Sequence, residues 1–236
     1  MAAFVLSRLL GLGREVAISS RFGTSGELDA YLAAFRIPDI LFQLMAGGAL
    51  ASAFIPTYAG LLASGDRAEA SRLAGDIIRI LTFGLAALSL LCALLAGPLV
   101  RYLVAPGFDP ERQALSASLM RIMLLTPVVF AVSGVFMGIL NSNQRFLAAA
   151  LAPSAYNLAI ILGALFLAPY LGVYGLALGV VVGAVAHYLV QLPQVWRLMR
   201  GHQPSAISHQ RDTERRDEHP LPASREGGGG VRSVGG

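Results

Sequence analysis

Apolar residues run along this chain in long blocks, separated by short polar breaks. The breaks read "FGTSGELD", "ASGDRAEAS", "APGFDPERQ", "NSNQRF" and "APYLGVYG", each built from the residues that favour turns. Between them lie six apolar blocks, at roughly 2–22, 28–63, 74–104, 113–141, 147–169 and 172–196. A membrane-crossing helix needs about 20 mostly apolar residues, and each block reaches that length. Strands of this kind are excluded, because lipid cannot satisfy the backbone groups of an open sheet. The predicted fold class is therefore all-α: a polytopic membrane helix bundle of six transmembrane helices. The short breaks make neighbouring helices antiparallel. The second block is too long for one straight span. Pro38, Pro56 and the intervening "AGGALASA" predict a kinked or interrupted helix there.

After Arg200 the pattern stops. Residues 201–236 have few large apolar side chains, scattered charges and the tract "GGGG", which predicts a disordered polar tail behind a membrane region of residues 1–200. Small residues recur at helix-packing spacing within the blocks. Gly134 and Gly138 form one G-x-x-x-G, and Gly175, Gly179 and Gly183 form two in succession. Such spacing lets helix backbones approach closely in lipid.

Composition narrows the function. Hydrophobic residues make up 55% of the chain and charged residues 14%, far from a soluble domain. Residues 1–200 hold 13 Arg and 9 acids, and the tail holds 5 of each, so the net +4 belongs to the membrane region. All basic residues are Arg, yet no basic patch with interleaved aromatics exists, so a nucleic-acid partner is not expected. Cys92 is the single cysteine, which excludes an internal disulfide and a thiolate metal cluster. It lies in "LSLLCALLAG" and reads as a small packing hydrophobe. The tail histidines lack metal-ligand spacing, and no metal or cofactor is expected. No G-x-S-x-G, H-E-x-x-H or carboxylate pair of magnesium type appears, which leaves a membrane-embedded enzyme without support. Asn141, Asn157 and His187 read as helix-to-helix hydrogen bonds or helix caps. The first block has no basic lead-in and no A-x-A site after it, so it reads as a retained span rather than a cleaved signal. With the N-terminus inside, cytoplasmic segments carry Arg67, Arg72, Arg79, Arg145, Arg197 and Arg200, against Arg21, Arg101 and Arg112 outside, which favours that orientation.

The candidate chemistry sits in the first two blocks. Charged groups inside a span are costly and usually face a cavity or a partner. Arg8, Arg14 and Glu15 lie in the first block, and Asp29, Arg36 and Asp39 in the second. At 100° per residue, Arg8 and Glu15 share a face, as do Asp29 and Arg36. Arg36 and Asp39 are close enough to pair, either as a structural link or as part of a cavity. The pattern fits two polar stripes facing one another across a wet cavity. Glu15 is the one acid in its block, and an arginine fork matches phosphate oxygens in a bidentate way, so Arg8 and Arg14 point to an anionic ligand.

The segments "SRLLGLGRE", "FGTSGELDAYLAAFRIPD" and "AGGALASAFIPTYAGLL", in that order, resemble the start of the MurJ/MviN lipid II flippases of the multidrug/oligosaccharidyl-lipid/polysaccharide exporter superfamily. "APGF", "ILNSNQRFLAAALAP" and "VQLPQVWRLMR" match as well, carrying the resemblance to about residue 200. The resemblance implies one lobe of a two-lobe transporter in the bacterial inner membrane. It implies a central cationic cavity and alternating access, with an undecaprenyl-diphosphate-linked peptidoglycan precursor as substrate. Arg8 and Arg14 match the family's cavity arginines, Ser7 its first-helix serine, Glu15 the acid after the second arginine, and Asp29 its second-helix aspartate. In "DILFQLMAGGA" the chain departs from the family: Phe42 and Gln43 stand where arginines are common, Asp39 replaces Asn and Gly47 replaces Glu. With six spans instead of about fourteen, the chain reads as a frameshifted or truncated gene product, unable to transport without a second lobe or a second chain. Two other readings stay open: a drug–cation antiporter of the same superfamily, and a membrane scaffold or non-functional remnant.

Overall fold

The structure, a computed structural model, describes residues 2–47 and 53–199. The expected tail at 201–236 lies outside these residues. Helices account for the described chain: α1 (Ala2–Phe22), α2 (Gly26–Gly47), α3 (Ile55–Ala63), α4 (Arg67–Leu94), α5 (Ala96–Leu99), α6 (Pro110–Met123), α7 (Leu125–Ser142), α8 (Phe146–Leu162), α9 (Ala168–Leu171) and α10 (Val173–Met199). Two π-helical turns, Val100–Val104 and Gly163–Leu167, continue α5 and α8 at their C-terminal ends.

The polar breaks end and start these helices by ordinary capping chemistry. Asp66 accepts the Glu69 backbone N–H at 3.0 Å, and Asp109 accepts that of Arg112 at 2.9 Å. Each supplies an acceptor to a helix start that has none of its own. Gly65 (φ +82°) and Gly172 (φ +56°) end the preceding runs in the left-handed region that a β-carbon disfavours. At the far end of α4, the Arg121 guanidinium donates to the Ala93 carbonyl at 3.1 Å. A cation there complements both the unpaired carbonyls and the helix dipole. Arg121 lies in the last turn of α6.

The long second block divides into two helices, and not at its first proline. Pro38 sits inside α2 without ending it, and the helix runs nine residues further to Gly47. Buried neighbours on the same face, Ala34, Ile37 and Leu41, hold α2 in its packing on either side of the proline. Membrane helices tolerate proline where such packing re-satisfies the backbone. Most of "AGGALASA" falls at 48–52, outside the described residues. Pro56 stands in the first turn of α3, where its missing N–H costs nothing.

Four helical stretches are long and apolar enough to cross a membrane by length and composition: Arg67–Leu94, Pro110–Ser142, Phe146–Leu171 and Val173–Met199. The two remaining blocks, α1 and α2, are helical over comparable lengths but carry most of the intramembrane charges. The centre of the bundle is α7 and α10, which bury Val135, Ile139, Leu140, Leu176 and Val180 almost completely. α4 packs on α7, α2 on α6, and α1 on α8. The perimeter is apolar: Phe83, Ile80 and Tyr170 are 74%, 67% and 88% exposed. An apolar rim this extensive is suited to lipid rather than water.

The α8–α10 seam rests on glycines. A β-carbon at Gly179 would come within 3.1 Å of the Gly163 α-carbon, and one at Gly183 within 2.9 Å of the Tyr156 carbonyl oxygen. The Gly175/Gly179/Gly183 spacing therefore does what its sequence pattern predicts, with Gly163 as the opposing partner. Gly138 performs the same service at the α3–α7 contact, where a β-carbon would meet the Phe54 ring at 2.9 Å.

Candidate functional site

α1 lies along α8, and this contact places Arg14. α1 contributes three Arg (8, 14, 21) and one Glu (15), a net +2; α2 contributes one Arg (36) and three acids (27, 29, 39), a net −2. Arg14 is the most enclosed of the α1 charges. Its Nη2 and Nε donate to Glu15 Oε1 at 2.5 and 3.2 Å, and its Nη1 donates to Asn157 Oδ1 of α8 at 3.3 Å. The Asn157 amide then donates to the Ser7 carbonyl at 3.4 Å. One side chain of α8 thus ties two successive turns of α1. The Arg14 side chain is 30% exposed and Glu15 61%. The ion pair is adjacent in sequence, and the guanidinium keeps an open flank.

Two tyrosines complete this arrangement. Tyr31 of α2 is buried and Tyr156 of α8 half-buried, and both lie within electrostatic reach of Arg14. Tyr156 also feels the Asp39 carboxylate. Arg14 thus bonds directly to Glu15 and Asn157, with Tyr31 and Tyr156 in its electrostatic surroundings.

The other sequence-predicted residues are more dispersed. Arg8 is exposed on α1, one turn and a half before Arg14. Ser7 enters through its backbone carbonyl, and its side chain is half-buried. Asp29 is exposed in the first turn of α2, where a carboxylate complements the helix dipole. Asp39 accepts from the Gln43 amide at 2.7 Å, and among the described residues no ion pair joins it to the exposed Arg36. Phe42 packs its ring on Phe130 of α7, with centroids 4.9 Å apart. The two positions that depart from the arginine pattern are thus absorbed locally. Gln43 satisfies Asp39 without a charge, and Phe42 joins an aromatic cluster with Phe130 and Tyr156.

Sequence reasoning missed Tyr31 and Tyr156, and placed Asn157 only as a helix-to-helix hydrogen bond. The available signal was the polar pair "YN" in the middle of the apolar "LAPSAYNLAII". Replacing Asn157 with leucine removes the acceptor of Arg14 Nη1 and the donor to Ser7. The expected cost is about 1–2 kcal/mol, read as a melting temperature lowered by several degrees for the purified chain in detergent. Unchanged melting would mean the α1–α8 tie is not formed.

Among the described residues no group of His, Cys, Asp and Glu has a geometry able to hold a metal ion. Cys92 is a free, half-buried thiol of α4.

Known proteins share this architecture. The family model described as lipid II flippase MurJ matches residues 18–217. The match runs past Arg200, where the motif resemblance stops, and it begins after Arg14. A lipid II flippase MurJ of Burkholderia cenocepacia is 37% identical over 193 residues, covering 80% of this chain and 37% of that protein. One of Thermosipho africanus is 32% identical over 186 residues, covering 78% and 37%. A solved structure of lipid II flippase MurJ in an inward closed conformation superposes with a TM-score of 0.69 at 26% identity. It is covered over 44% of its length, and this chain over 91%. The chain thus spans less than half the length of these relatives.

Proposed function

We propose that this chain, which belongs to the lipid II flippase MurJ family, supplies one lobe of a flippase. In this reading an undecaprenyl-diphosphate-linked peptidoglycan precursor moves from the inner to the outer leaflet by alternating access. The lobe sits in the bacterial inner membrane with its N-terminus in the cytoplasm, as the arginine asymmetry of the loops favours.

One observation carries the substrate assignment. Arg14 is fixed in the middle of an apolar helix by Glu15 and Asn157, while its guanidinium keeps an exposed flank. Holding a cation there is costly, and the cost is recovered when an anion arrives. A diphosphate offers oxygens on both phosphates to a planar fork. Arg8, on the same helix and exposed, adds a second cation to that field. Ser7, Glu15 and Asp29 belong to the same proposed diphosphate or cavity set, and Arg36 and Asp39 border it from α2. A drug–cation antiporter would favour acids on the helix that holds the site, whereas α1 carries three Arg against one Glu.

Alternating access requires two lobes moving against each other. The second lobe, or a second chain, is therefore a required partner. The chain as given is expected not to rescue a strain depleted of its own lipid II flippase, although it inserts into the membrane. Rescue by these 236 residues alone would overturn the single-lobe reading. Purified chain in lipid nanodiscs is expected to bind undecaprenyl diphosphate in preference to ethidium. The opposite preference would favour the antiporter.

A further inference from the structure

Behind the Arg14 group lies a second polar cluster that the proposed function does not use. Ser133 of α7 and His187 and Gln191 of α10 meet in the α7–α10 seam. Ser133 and Gln191 are fully buried, and His187 is 7% exposed. His187 stands near the middle of α10, about 21 Å from its start and about 18 Å from its end at 1.5 Å rise per residue. An ionisable side chain at that depth is a functional candidate by its cost alone.

The hydrogen bonds fix where a proton can go. Gln191 Nε2 donates to Ser133 Oγ at 2.7 Å and to the His187 carbonyl at 3.1 Å. Both amide hydrogens are then used. Ser133 Oγ lies 2.6 Å from His187 Nδ1 and, having accepted from Gln191, turns its own hydrogen to the ring. Gln191 Nε2, a donor only, also lies 3.2 Å from His187 Nδ1, so Nδ1 is an acceptor in the neutral state and the ring proton is on Nε2. Gln191 Oε1 is buried with no hydrogen-bond partner among the described residues. An orphaned amide oxygen beside a buried imidazole is an acceptor in reserve.

We propose that Ser133, His187 and Gln191 form a buried proton-binding site whose protonated state is completed by rotation of the Gln191 amide. On uptake the proton joins His187 Nδ1. The Nδ1–H bond then donates to Ser133 Oγ, and the serine hydroxyl turns away from the ring. With the amide rotated, Nε2 gives up its bonds to Ser133 Oγ and the His187 carbonyl, and Gln191 Oε1 accepts that hydroxyl hydrogen and faces the imidazolium. No bond other than Nδ1–H forms, and the only charge added is the proton's.

α7 carries no ionisable residue, and α10 adds Tyr188, which stacks on Phe136, and Arg197 near its end. From α8 the nearest titratable side chain is Tyr156, whose ring meets Phe130 edge-on. Phe130 also meets the His187 ring, with centroids 5.1 Å apart. From α2, Asp39 lies one turn before Phe42, and Phe42 in turn packs on Phe130. α6 reaches α10 at its other end, through Ser118 and Tyr174. Phe130 therefore links the His187 ring to Phe42 and Tyr156.

Nitrogen-15 NMR of histidine-labelled chain in lipid nanodiscs tests this, with H187Q identifying the intramembrane signal against the three tail histidines. At pH 8 the expected spectrum shows unprotonated Nδ1 and protonated Nε2. Acidification converts it to imidazolium while the helical circular dichroism is retained. Q191M removes both the oxygen that faces the cation and the Nε2 donor of the neutral state; the contact to the charged ring is the stronger, so the midpoint moves to lower pH. S133A, a milder change, moves it the same way, since charge-assisted bonds are the stronger ones. A proton on Nδ1 at pH 8 would overturn the proposal. So would a ring that stays neutral until the helices melt, or a midpoint unmoved in both variants.

Discussion

Replacing Gly175 with leucine is expected to leave little folded chain to purify. A β-carbon at this position would stand 2.5 Å from the Leu167 carbonyl carbon and 2.6 Å from the Ala168 nitrogen. Both are backbone atoms at the junction between a π-helical turn and α9, so no rotamer change can relieve the contact. α10 would have to move off the stretch of chain it rests on, and the Gly163–Gly179 contact below would open with it. Overpacking of a tight seam costs about 1–3 kcal/mol where side chains can adjust, and more where backbone must shift. The seam between α8 and α10 is the most extensive among the described helices, so the α7 contact cannot make up for its loss. Gly84→Ala in α4 is the control, because nothing lies within 4 Å of its added carbon. That variant is expected to match the parent or gain up to about 1 kcal/mol from helix propensity. Size-exclusion profiles and thermal melts of the parent and both variants in detergent decide the matter. The single tryptophan, Trp196 near the end of α10, serves as a local reporter. A monodisperse G175L chain with parental melting would show that the seam is packed otherwise.

Replacing Arg14 with alanine is expected to weaken binding of undecaprenyl diphosphate by about 10–100-fold, the equivalent of one lost charge-assisted contact. Membrane insertion should not suffer. Removing a guanidinium from the centre of α1 makes the span more apolar, and the translocon cost of an arginine there, about 2.5–3.5 kcal/mol, disappears. Arg14→Lys keeps the charge but loses the planar fork that bridges Glu15, Asn157 and a ligand, so it should recover only part of the affinity. In a two-lobe version of the protein the alanine variant should abolish transport while the protein remains in the membrane. The binding measurement uses nanodiscs with the labelled lipid. Parental affinity in R14A would remove Arg14 from the site and leave the family membership untouched.

The hydrophobic blocks made the helical membrane fold legible, because in lipid the backbone has few other ways to satisfy itself. The Gly175/Gly179/Gly183 spacing pointed to helix packing for the same reason: close approach needs small residues at one-turn intervals. Charged residues inside apolar blocks marked α1 and α2 as the place to look. What periodicity could not supply was partner choice. Arg36 and Asp39 sit three apart on one helix, a spacing that allows a pair, yet Asp39 takes Gln43. A spacing rule states which neighbours are within reach on the same helix, not which competing donor wins. Pro38 suggested a break by local chemistry, and packing on both sides overrode it.

Sequence alone determined the class of fold, the family, the concentration of charge on the first two helices and the glycine seam. All of these follow from one-dimensional patterns of hydropathy and size. Only the tertiary structure decided that Arg14 is held by Asn157, 143 residues away, and that Tyr31 and Tyr156 lie in its electrostatic surroundings. It alone brought Ser133 to His187 across 54 residues. These contacts depend on the rotation of each helix about its own axis, which is set by the shape of the whole packed interface rather than by any local stretch of chain.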